Sequence, residues 1–223
     1  GHAMVFDAGR GVVVLFGGLD SISLSDTWEY DGTTWTRVIT PTTPSSRNGH
    51  ALSYDPVNGV VLFGGINNNL SDTWTYDGVT WSQVSVAAAP PGRGRHGMTF
   101  DAGRGVHVMF GGYGVGGYRN DTWEFDGTAW TQSNTPAPPT NRMGMGMVFD
   151  NALGATVMFG GFGSAQTLNE TWQYNGTWTQ VSPVASPASR FGSPLAYDSA
   201  RSRTVVFGGL GQTGLINDTW EYD

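Results

Sequence analysis

The chain of 223 residues has a formal net charge of −7, 34 glycines, 13% aromatic residues and no cysteine. The absence of cysteine excludes disulfides and thiolate metal sites, and the acidic balance argues against nucleic acid as a partner because that binding needs clustered Lys and Arg. No apolar run approaches the ~18 residues of a membrane helix, so we expect no membrane partner either. Abundant glycine and aromatic residues with few charges are typical of short strands joined by tight turns, which predicts an all-β fold.

One sequence unit recurs five times at nearly constant spacing. Its most regular feature is a glycine pair, at Gly17-Gly18, Gly64-Gly65, Gly111-Gly112, Gly160-Gly161 and Gly208-Gly209. The first tryptophan of each unit recurs at nearly the same spacing, at Trp28, Trp74, Trp123, Trp172 and Trp220. A period of about 48 residues indicates an array of repeated structural units rather than an irregular fold.

In chain order, each unit predicts four short antiparallel strands, A to D. The second unit shows the pattern: ALSYD, a PVNG turn, the apolar run VVLFGG, a loop, then DTWTYDG and TWSQV. The Gly, Asp and Asn residues between the runs tolerate the backbone of tight hairpins. Strand B is apolar throughout, so we expect it to be buried on both faces.

The tryptophans of strands C and D form a pair across a hairpin in each of the first four units. These pairs are Trp28 with Trp35, Trp74 with Trp81, Trp123 with Trp130, and Trp172 with Trp178. Large aromatic side chains dominate the energetics of cores, so we expect these residues to pack one sheet against the next rather than to form a sugar-binding platform.

The units resemble the kelch-repeat family, especially kelch arrays of bacterial extracellular or surface proteins. The resemblance covers the whole chain and rests on the Arg-x-Gly-His start (Arg47 to His50), VLFGG, and the wording NDTWEFDGTAW. It implies a single kelch β-propeller domain over residues 1–223, with strand A of each blade lining a central channel and strand D outermost. The five blades would span 1–46, 47–92, 93–141, 142–189 and 190–223. The fifth would lack its outer strand, which leaves an edge through which copies could assemble into an oligomer.

Four arginines share one repeat position, eight residues before the aspartate that closes strand A: Arg47, Arg93, Arg142 and Arg190. The kelch resemblance places them around one mouth of the channel and implies an anion site, since kelch adaptors of acidic peptides use an arginine there. The planar guanidinium suits carboxylates and phosphates. The alternative is that each arginine pairs with a carboxylate or loop carbonyl of the neighbouring blade.

Three histidines, His2, His50 and His96, also share a repeat position, and three imidazoles could hold zinc. Because the Gly-His pair is part of the repeated motif, we favour a structural role for these histidines and predict no metal site. His107 lies in a strand B and is expected to pack. The acidic residues before the first Trp of each unit (Asp26, Asp72, Asp121, Glu170 and Asp218) are near-identical copies, which favours capping of turn amides over catalysis. We therefore predict neither an enzyme nor a cofactor.

The loops between strands B and C vary most among the units, and recognition usually lies on variable loops of a rigid scaffold. Tyr113, Tyr118 and Phe162 are the aromatic candidates there. The sequence predicts a non-catalytic scaffold that binds a protein or peptide, with an acidic ligand among the options. A lectin-like carbohydrate-binding propeller is the alternative. The resemblance favours an extracellular or cell-surface bacterial protein, and the first residues, which lie inside a repeat, favour an excised or engineered propeller.

Overall fold

The computed structural model describes all 223 residues, and the chain divides into two compact units. The first unit comprises residues 1–95 with 125–130, and the second comprises 96–124 with 131–223. The single domain and the blade boundaries stay predictions. The structure has no helix with the length and apolarity that crossing a membrane requires.

Two four-stranded antiparallel sheets make up most of the first unit. Sheet one has the order β1-β2-β3-β4, with β1 Ala3–Asp7, β2 Val12–Leu19, β3 Ser23–Tyr30 and β4 Trp35–Val38. Sheet two has the order β5-β6-β7-β8, with β5 Ala51–Asp55, β6 Gly59–Gly65, β7 Leu70–Tyr76 and β8 Trp81–Val84. A short 3₁₀ helix (Asn67–Asn69) precedes β7, and β9 (Arg93–Gly94) follows β8. Each sheet contains the four strands that the repeat predicts.

Three further sheets repeat this plan along the rest of the chain. Sheet three is ordered β10-β11-β14-β15, with β10 Gly97–Asp101, β11 Val106–Phe110, β14 Thr122–Phe125 and β15 Trp130–Ser133. Between β11 and β14 lie β12 (Tyr113–Gly114) and β13 (Gly117–Tyr118). Sheet four is ordered β16-β17-β18-β19, with β16 Gly146–Asp150, β17 Ala155–Phe159, β18 Thr171–Tyr174 and β19 Trp178–Val181.

Sheet five has three strands in the order β20-β21-β24. They are β20 Leu195–Asp198, β21 Arg203–Phe207 and β24 Thr219–Tyr222, with the small hairpin of β22 (Leu210–Gly211) and β23 (Gly214–Leu215) inserted before β24. In this sheet β24 is an edge strand.

Aspartate side chains fix the tight turns. Asp55 Oδ1 accepts the backbone amides of Val57 and Asn58, both at 2.7 Å, where β5 turns into β6. In the turn between β7 and β8, Asp77 Oδ1 accepts the amides of Val79 and Thr80 at 2.8 Å. Gly78, which follows Asp77, has φ of +96°, a conformation that other residues adopt only with strain. These local contacts set the register of each hairpin.

In three of the four hairpin pairs the second tryptophan joins neighbouring sheets, as predicted. The prediction is wrong for Trp35, which is 43% exposed and stacks on Tyr30 of its own hairpin. In the first unit Trp81 is 1% exposed, its ring centroid lies 5.0 Å from that of Phe16, and its Nε1 donates to Thr27 Oγ1 at 2.9 Å. In the second unit Trp178 has the same relation to Phe110, at 5.0 Å, and donates to Thr122 Oγ1 at 2.8 Å. The indole thus contributes both apolar burial and a satisfied hydrogen bond.

Strand B is buried on both faces only in the middle sheets. Val60 to Phe63 in β6 and Val108 to Phe110 in β11 are 0% exposed. In β2, Val14 and Phe16 are 0% exposed whereas Val13 and Leu15 on the other face are half-buried, and in β21 Phe207 is 57% exposed. The expectation of full burial is therefore wrong for β2 and β21. Within their own units, sheets one and five each pack against only one other sheet.

The first strands of consecutive sheets lie side by side within each unit. In the second unit, the Phe149 amide in β16 donates to Thr99 Oγ1 in β10 at 3.1 Å. In the same unit, a Cβ added at Gly146 in β16 would meet Leu195 Cγ in β20 at 2.6 Å. In the first unit β1 contacts β5 in the same way. Glycine at these points allows a close approach of backbones.

Candidate functional site

The four repeat arginines are completely buried, with 0% exposure each. Arg47 Nη1 donates to Gly64 O at 2.9 Å and to Asp72 Oδ1 at 2.8 Å, and its Nη2 donates to Asp72 Oδ2 at 2.7 Å. Arg142 Nη1 donates to Gly160 O at 3.1 Å, and its Nη2 pairs with Glu170. Arg190 pairs with Asp218 and donates to Gly208 O at 3.0 Å. Arg93 Nε donates to Pro91 O at 2.9 Å.

Arg47, Arg142 and Arg190 each pair with a carboxylate of their own sheet, so a carboxylate partner in a neighbouring blade is wrong for these three. The other predicted partner, a loop carbonyl, is present: their Nε atoms donate at 2.9 Å to Ser45 O, Thr140 O and Ala188 O, residues that the predicted bounds assign to the preceding blade. The guanidinium joins the carbonyl of the glycine pair after the second strand to the acidic residue at the start of the third. Ligand binding by the four arginines stays a prediction. A ligand anion would have to displace a bidentate carboxylate partner at Arg47.

The ion pairs shift the pKa values of the carboxyl groups. Hydrogen bonds from Arg190 and Trp220 lower the pKa of Asp218 to about 2. At Asp72 burial alone would raise the pKa, but the hydrogen bonds from Arg47 and Trp74 outweigh it and the pKa is lowered. Both carboxyl groups are therefore ionised at neutral pH, which leaves neither of them suited to act as a general acid.

The prediction that the acidic residues before the first tryptophans cap turn amides is wrong, because these carboxylates accept indole N–H groups instead. They accept the indole Nε1 two residues further on, at 2.6 Å for Trp28 to Asp26, 2.6 Å for Trp74 to Asp72 and 2.7 Å for Trp123 to Asp121. Glu170 and Asp218 accept from Trp172 and Trp220 in the same way. The turn amides are instead accepted by other aspartates, such as Asp55 and Asp77. The acidic residue thus links the tryptophan and the buried arginine.

The three histidines of the shared repeat position, His2, His50 and His96, do not come together in a cluster. The structure contains no group of three or more His, Cys, Asp or Glu side chains that could hold a metal ion. His50 is 5% exposed, and burial together with the charge of Arg47 lowers its pKa to about 3. His107 is 1% exposed and packs on the Phe100 ring at 5.0 Å, in agreement with the packing role.

Three predicted aromatic residues come together in the second unit. Tyr113 and Tyr118 face each other across the β12–β13 hairpin, with ring centroids 5.3 Å apart, and Tyr118 lies 6.1 Å from Phe162. Phe162 lies 5.6 Å from Phe191, which extends the contacts to a fourth ring. We call Tyr113, Tyr118, Phe162 and Phe191 the aromatic row. Tyr113 is 47% exposed and the other three rings are half-buried.

Backbone pairing holds the aromatic row in place. Phe162 and Met143 exchange two hydrogen bonds, at 2.8 and 3.0 Å, and Phe191 and Leu210 exchange two at 3.1 and 2.9 Å. The loop after β17 and the loop after β21 are therefore each tied to the segment that precedes the first strand of their own sheet. The row consists of side chains from short, ordered backbone segments, which suits a preorganised contact surface.

Sequence reasoning missed two members of this surface. Phe191 stands directly after Arg190, outside the variable loops, and only the pairing with Leu210 reveals its position. Arg119 follows Tyr118, is half-buried, and donates from Nη2 to Val115 O at 2.9 Å without forming an ion pair. The Gly-Val-Gly-Gly sequence between the two tyrosines was the available signal for a hairpin.

Repeated four-stranded antiparallel sheets with a buried Arg–acid–Trp link define the class of repeat-built, all-β propeller proteins. Comparison with protein-family models gives a match to the KLHDC2/KLHL20/DRC7 Kelch-repeats domain over residues 1–176, and the chain belongs to the kelch-repeat family. Comparison with curated proteins gave no match. Kelch-repeat domains are in general binding modules, which indicates a protein-interaction scaffold.

Proposed function

We propose that this chain is a non-catalytic scaffold that binds a protein or peptide ligand through the variable loops of its second unit. The observation that carries the proposal is the aromatic row, in which rings from three sheets' loops touch in sequence. Binding energy at protein interfaces concentrates in a few aromatic and arginine side chains. The row offers such anchors on backbone that is already ordered.

The ligand that fits this surface has an apolar or aromatic side chain with a carboxylate nearby. Tyr113 and Val115, at 47% and 74% exposure, present apolar area at the tip of the β12–β13 hairpin. Arg119 supplies positive charge directly beside Tyr118, and no carboxylate of the chain neutralises it. An acidic peptide would place its carboxylate on Arg119 rather than on the four buried arginines.

The lectin-like alternative requires ring faces that are open for sugar stacking. In the aromatic row the Tyr113 and Tyr118 rings meet edge to face at 67°, as do those of Phe162 and Phe191 at 61°. In each of these two pairs the edge of one ring covers the face of the other, which favours a peptide side chain over a sugar as ligand. We also propose that the chain comes from a bacterial extracellular or surface protein, or is an excised or engineered propeller. This part of the proposal rests on the sequence of the repeats.

Selection from a random peptide library tests the proposal. Peptides are selected on the parent chain and counter-selected on the Tyr113→Ala/Tyr118→Ala double variant, with Leu215→Ala as the matched control. Leu215 occupies in the β22–β23 hairpin the place of Tyr118 in the β12–β13 hairpin. We expect enriched peptides that bind the parent and the control but not the double variant. Enrichment of peptides that bind all three proteins equally would contradict the proposal.

A further inference from the structure

Three Asn-Gly dipeptides occur in the chain, and the fold gives them different surroundings. They are Asn48-Gly49 before β5, Asn58-Gly59 at the turn into β6, and Asn175-Gly176 between β18 and β19. In such a dipeptide the backbone nitrogen of the glycine can approach the side-chain carboxamide carbon of the asparagine, because glycine has no side chain to hinder it. The dipeptides are identical in sequence, so a large difference in their reactivity has to come from the structure.

The loop that contains Asn175 is one residue shorter than the corresponding loop of sheet two. Residues 175–177 form the loop of sheet four, and residues 77–80 form that of sheet two. The longer loop begins with Asp77, whose Oδ1 accepts two backbone amides of the turn. The Asn175 side chain is exposed and makes no hydrogen bond. Its carboxamide is therefore free to turn towards the backbone of the next residue.

The backbone nitrogen of Gly176 is equally accessible. It donates no hydrogen bond, whereas the nitrogen of Gly49 donates to Gly1 O at 2.8 Å. Gly176 has φ of +104°, and a Cβ built there would have only Arg104 Nη1 within 4 Å, at 3.9 Å. The nitrogen and the carboxamide carbon thus belong to adjacent residues of an open turn, and no hydrogen bond has to break before they meet.

The other two asparagines are fixed by hydrogen bonds of their side chains. Asn48 Nδ2 donates to Ser23 Oγ at 3.1 Å and to Asn67 Oδ1 at 2.8 Å. Asn58 Nδ2 donates to the carboxylate of Asp55 at 3.0 Å. Both asparagines are half-buried. Reaction at either site requires local opening that breaks these bonds first, whereas reaction at Asn175 does not.

We propose that Asn175 is a site of spontaneous deamidation, and that the fold selects it from the three Asn-Gly dipeptides. The Gly176 nitrogen gives up its proton to solvent and bonds to Asn175 Cγ. The Cγ–Nδ2 bond breaks, and Nδ2 leaves with a solvent proton as ammonia. Water then adds to either carbonyl of the cyclic succinimide and opens it to an aspartyl or an isoaspartyl residue. Water is the only reagent that the reaction consumes.

The turn accommodates the negative charge that the product carries. The hairpins of sheets one, two and three have an aspartate at this position: Asp31, Asp77 and Asp126. In sheet two, Arg10 Nη1 lies 2.8 Å from the Cβ position of Gly78, the residue after the aspartate. Arg104 has the same relation to Gly176 and places a positive charge near the new carboxylate. The modified chain should therefore stay folded, with one more negative charge than the parent.

Parallel ageing of the folded and the unfolded chain tests the proposal. The parent is incubated at mildly alkaline pH in buffer and in concentrated urea, and peptide mapping by mass spectrometry follows deamidation at the three asparagines. The measured quantity is the ratio of the folded rate to the unfolded rate at each site, which cancels the effect of the neighbouring sequence. We expect this ratio to be about tenfold higher at Asn175 than at Asn48 or Asn58, where side-chain hydrogen bonds must open.

Two variants assign the reaction in the intact protein. Asn175→Gln keeps an amide but would have to close a larger ring, and Asn58→Gln is the matched control. Anion-exchange chromatography should separate a more negative species, with the circular dichroism spectrum of the parent, from the aged parent and the aged control but not from aged Asn175→Gln. A ratio at Asn175 no higher than at Asn48 or Asn58, or the same species in aged Asn175→Gln, would overturn the proposal.

Discussion

Arg47 donates to both carboxylate oxygens of Asp72, at 2.8 and 2.7 Å, while its own side chain is entirely buried. Asp72 also accepts the indole N–H of Trp74 at 2.6 Å. One carboxylate thus joins the arginine at the start of a repeat to the tryptophan of its third strand. Removal of one partner from a buried ion pair is far more costly than loss of an exposed one.

Asp72→Asn should lower the free energy of unfolding by about 3 kcal/mol, because the guanidinium of Arg47 would stay buried without its counter-charge. Urea denaturation followed by circular dichroism measures the loss. Asp26→Asn is the matched control: Asp26 accepts the indole of Trp28 in the same way, but its Oδ1 has no hydrogen-bond partner. We expect a loss below about 1 kcal/mol for the control. Equal losses would show that the ion pair adds nothing.

The tryptophans of the outer strands differ in their contribution to stability. Trp178→Ala should lower the free energy of unfolding by about 4 kcal/mol, because it leaves a cavity between sheets three and four and removes the hydrogen-bond donor of Thr122. Trp35 is 43% exposed and stacks only on Tyr30 of its own hairpin, so Trp35→Ala should cost about 1 kcal/mol. Chemical denaturation of both variants gives the comparison. A Trp35 variant as unstable as the Trp178 variant would refute this ranking.

In three of the pairs the first glycine lies under the backbone carbonyl of a repeat arginine: Gly17, Gly111 and Gly160. Gly160 has φ of +69°, and a Cβ there would meet Arg190 O at 2.6 Å. Gly154 has a similar φ of +62° but open space around it. Gly154→Ala should therefore cost only the left-handed backbone strain, about 1 kcal/mol, whereas Gly160→Ala should cost about 3 kcal/mol because the carbonyl must also move. Thermal unfolding of the two variants decides between this account and one in which φ alone matters.

His50 makes stability depend on pH. Its pKa falls from 6.5 to about 3 in the folded chain, through burial and the charge of Arg47. The unfolded chain therefore binds a proton that the folded chain refuses, and stability declines as the pH falls from 6.5 towards 3. The slope is about 1.4 kcal/mol per pH unit within that window.

His50→Met places at this position the residue that sheet four has at Met145. The variant should lose that pH dependence above pH ~4.5, where carboxylates with lowered pKa values still carry their charge. Urea denaturation at a series of pH values measures it. Persistence of the full slope in the variant would assign the dependence to other groups.

Much of the strand order was predictable because the same order of motifs recurs in five units. The glycine pairs, the apolar second strands and the aspartate turns are local signals, and local backbone preferences suffice to interpret them. Long-range contacts were not predictable in the same way. The carboxylate partner of Arg47, Asp72, lies 25 residues further along the chain. The same guanidinium also donates to Gly64 O, so its surroundings come from separate segments of the chain.

The aromatic row illustrates the same limit. Tyr113, Tyr118 and Phe162 could be selected as aromatic residues in variable loops, but their contact with Phe191 depends on two separate backbone pairings, at Met143 and at Leu210. The hydrogen bonds of Trp81, Trp130 and Trp178 to Thr27, Thr73 and Thr122 were not predictable either, because each joins residues more than 50 positions apart. Sequence repetition indicates equivalent positions, whereas the structure shows which side chains meet there.

The central claim is that the aromatic row binds the ligand, and calorimetric titration of a library-selected peptide tests it most directly. The peptide is titrated into the parent chain, Tyr118→Ala and Leu215→Ala under identical conditions. The account predicts about 30-fold weaker binding to Tyr118→Ala and unchanged affinity for Leu215→Ala. Equal affinity for the parent and Tyr118→Ala would contradict it and would place recognition elsewhere on the chain.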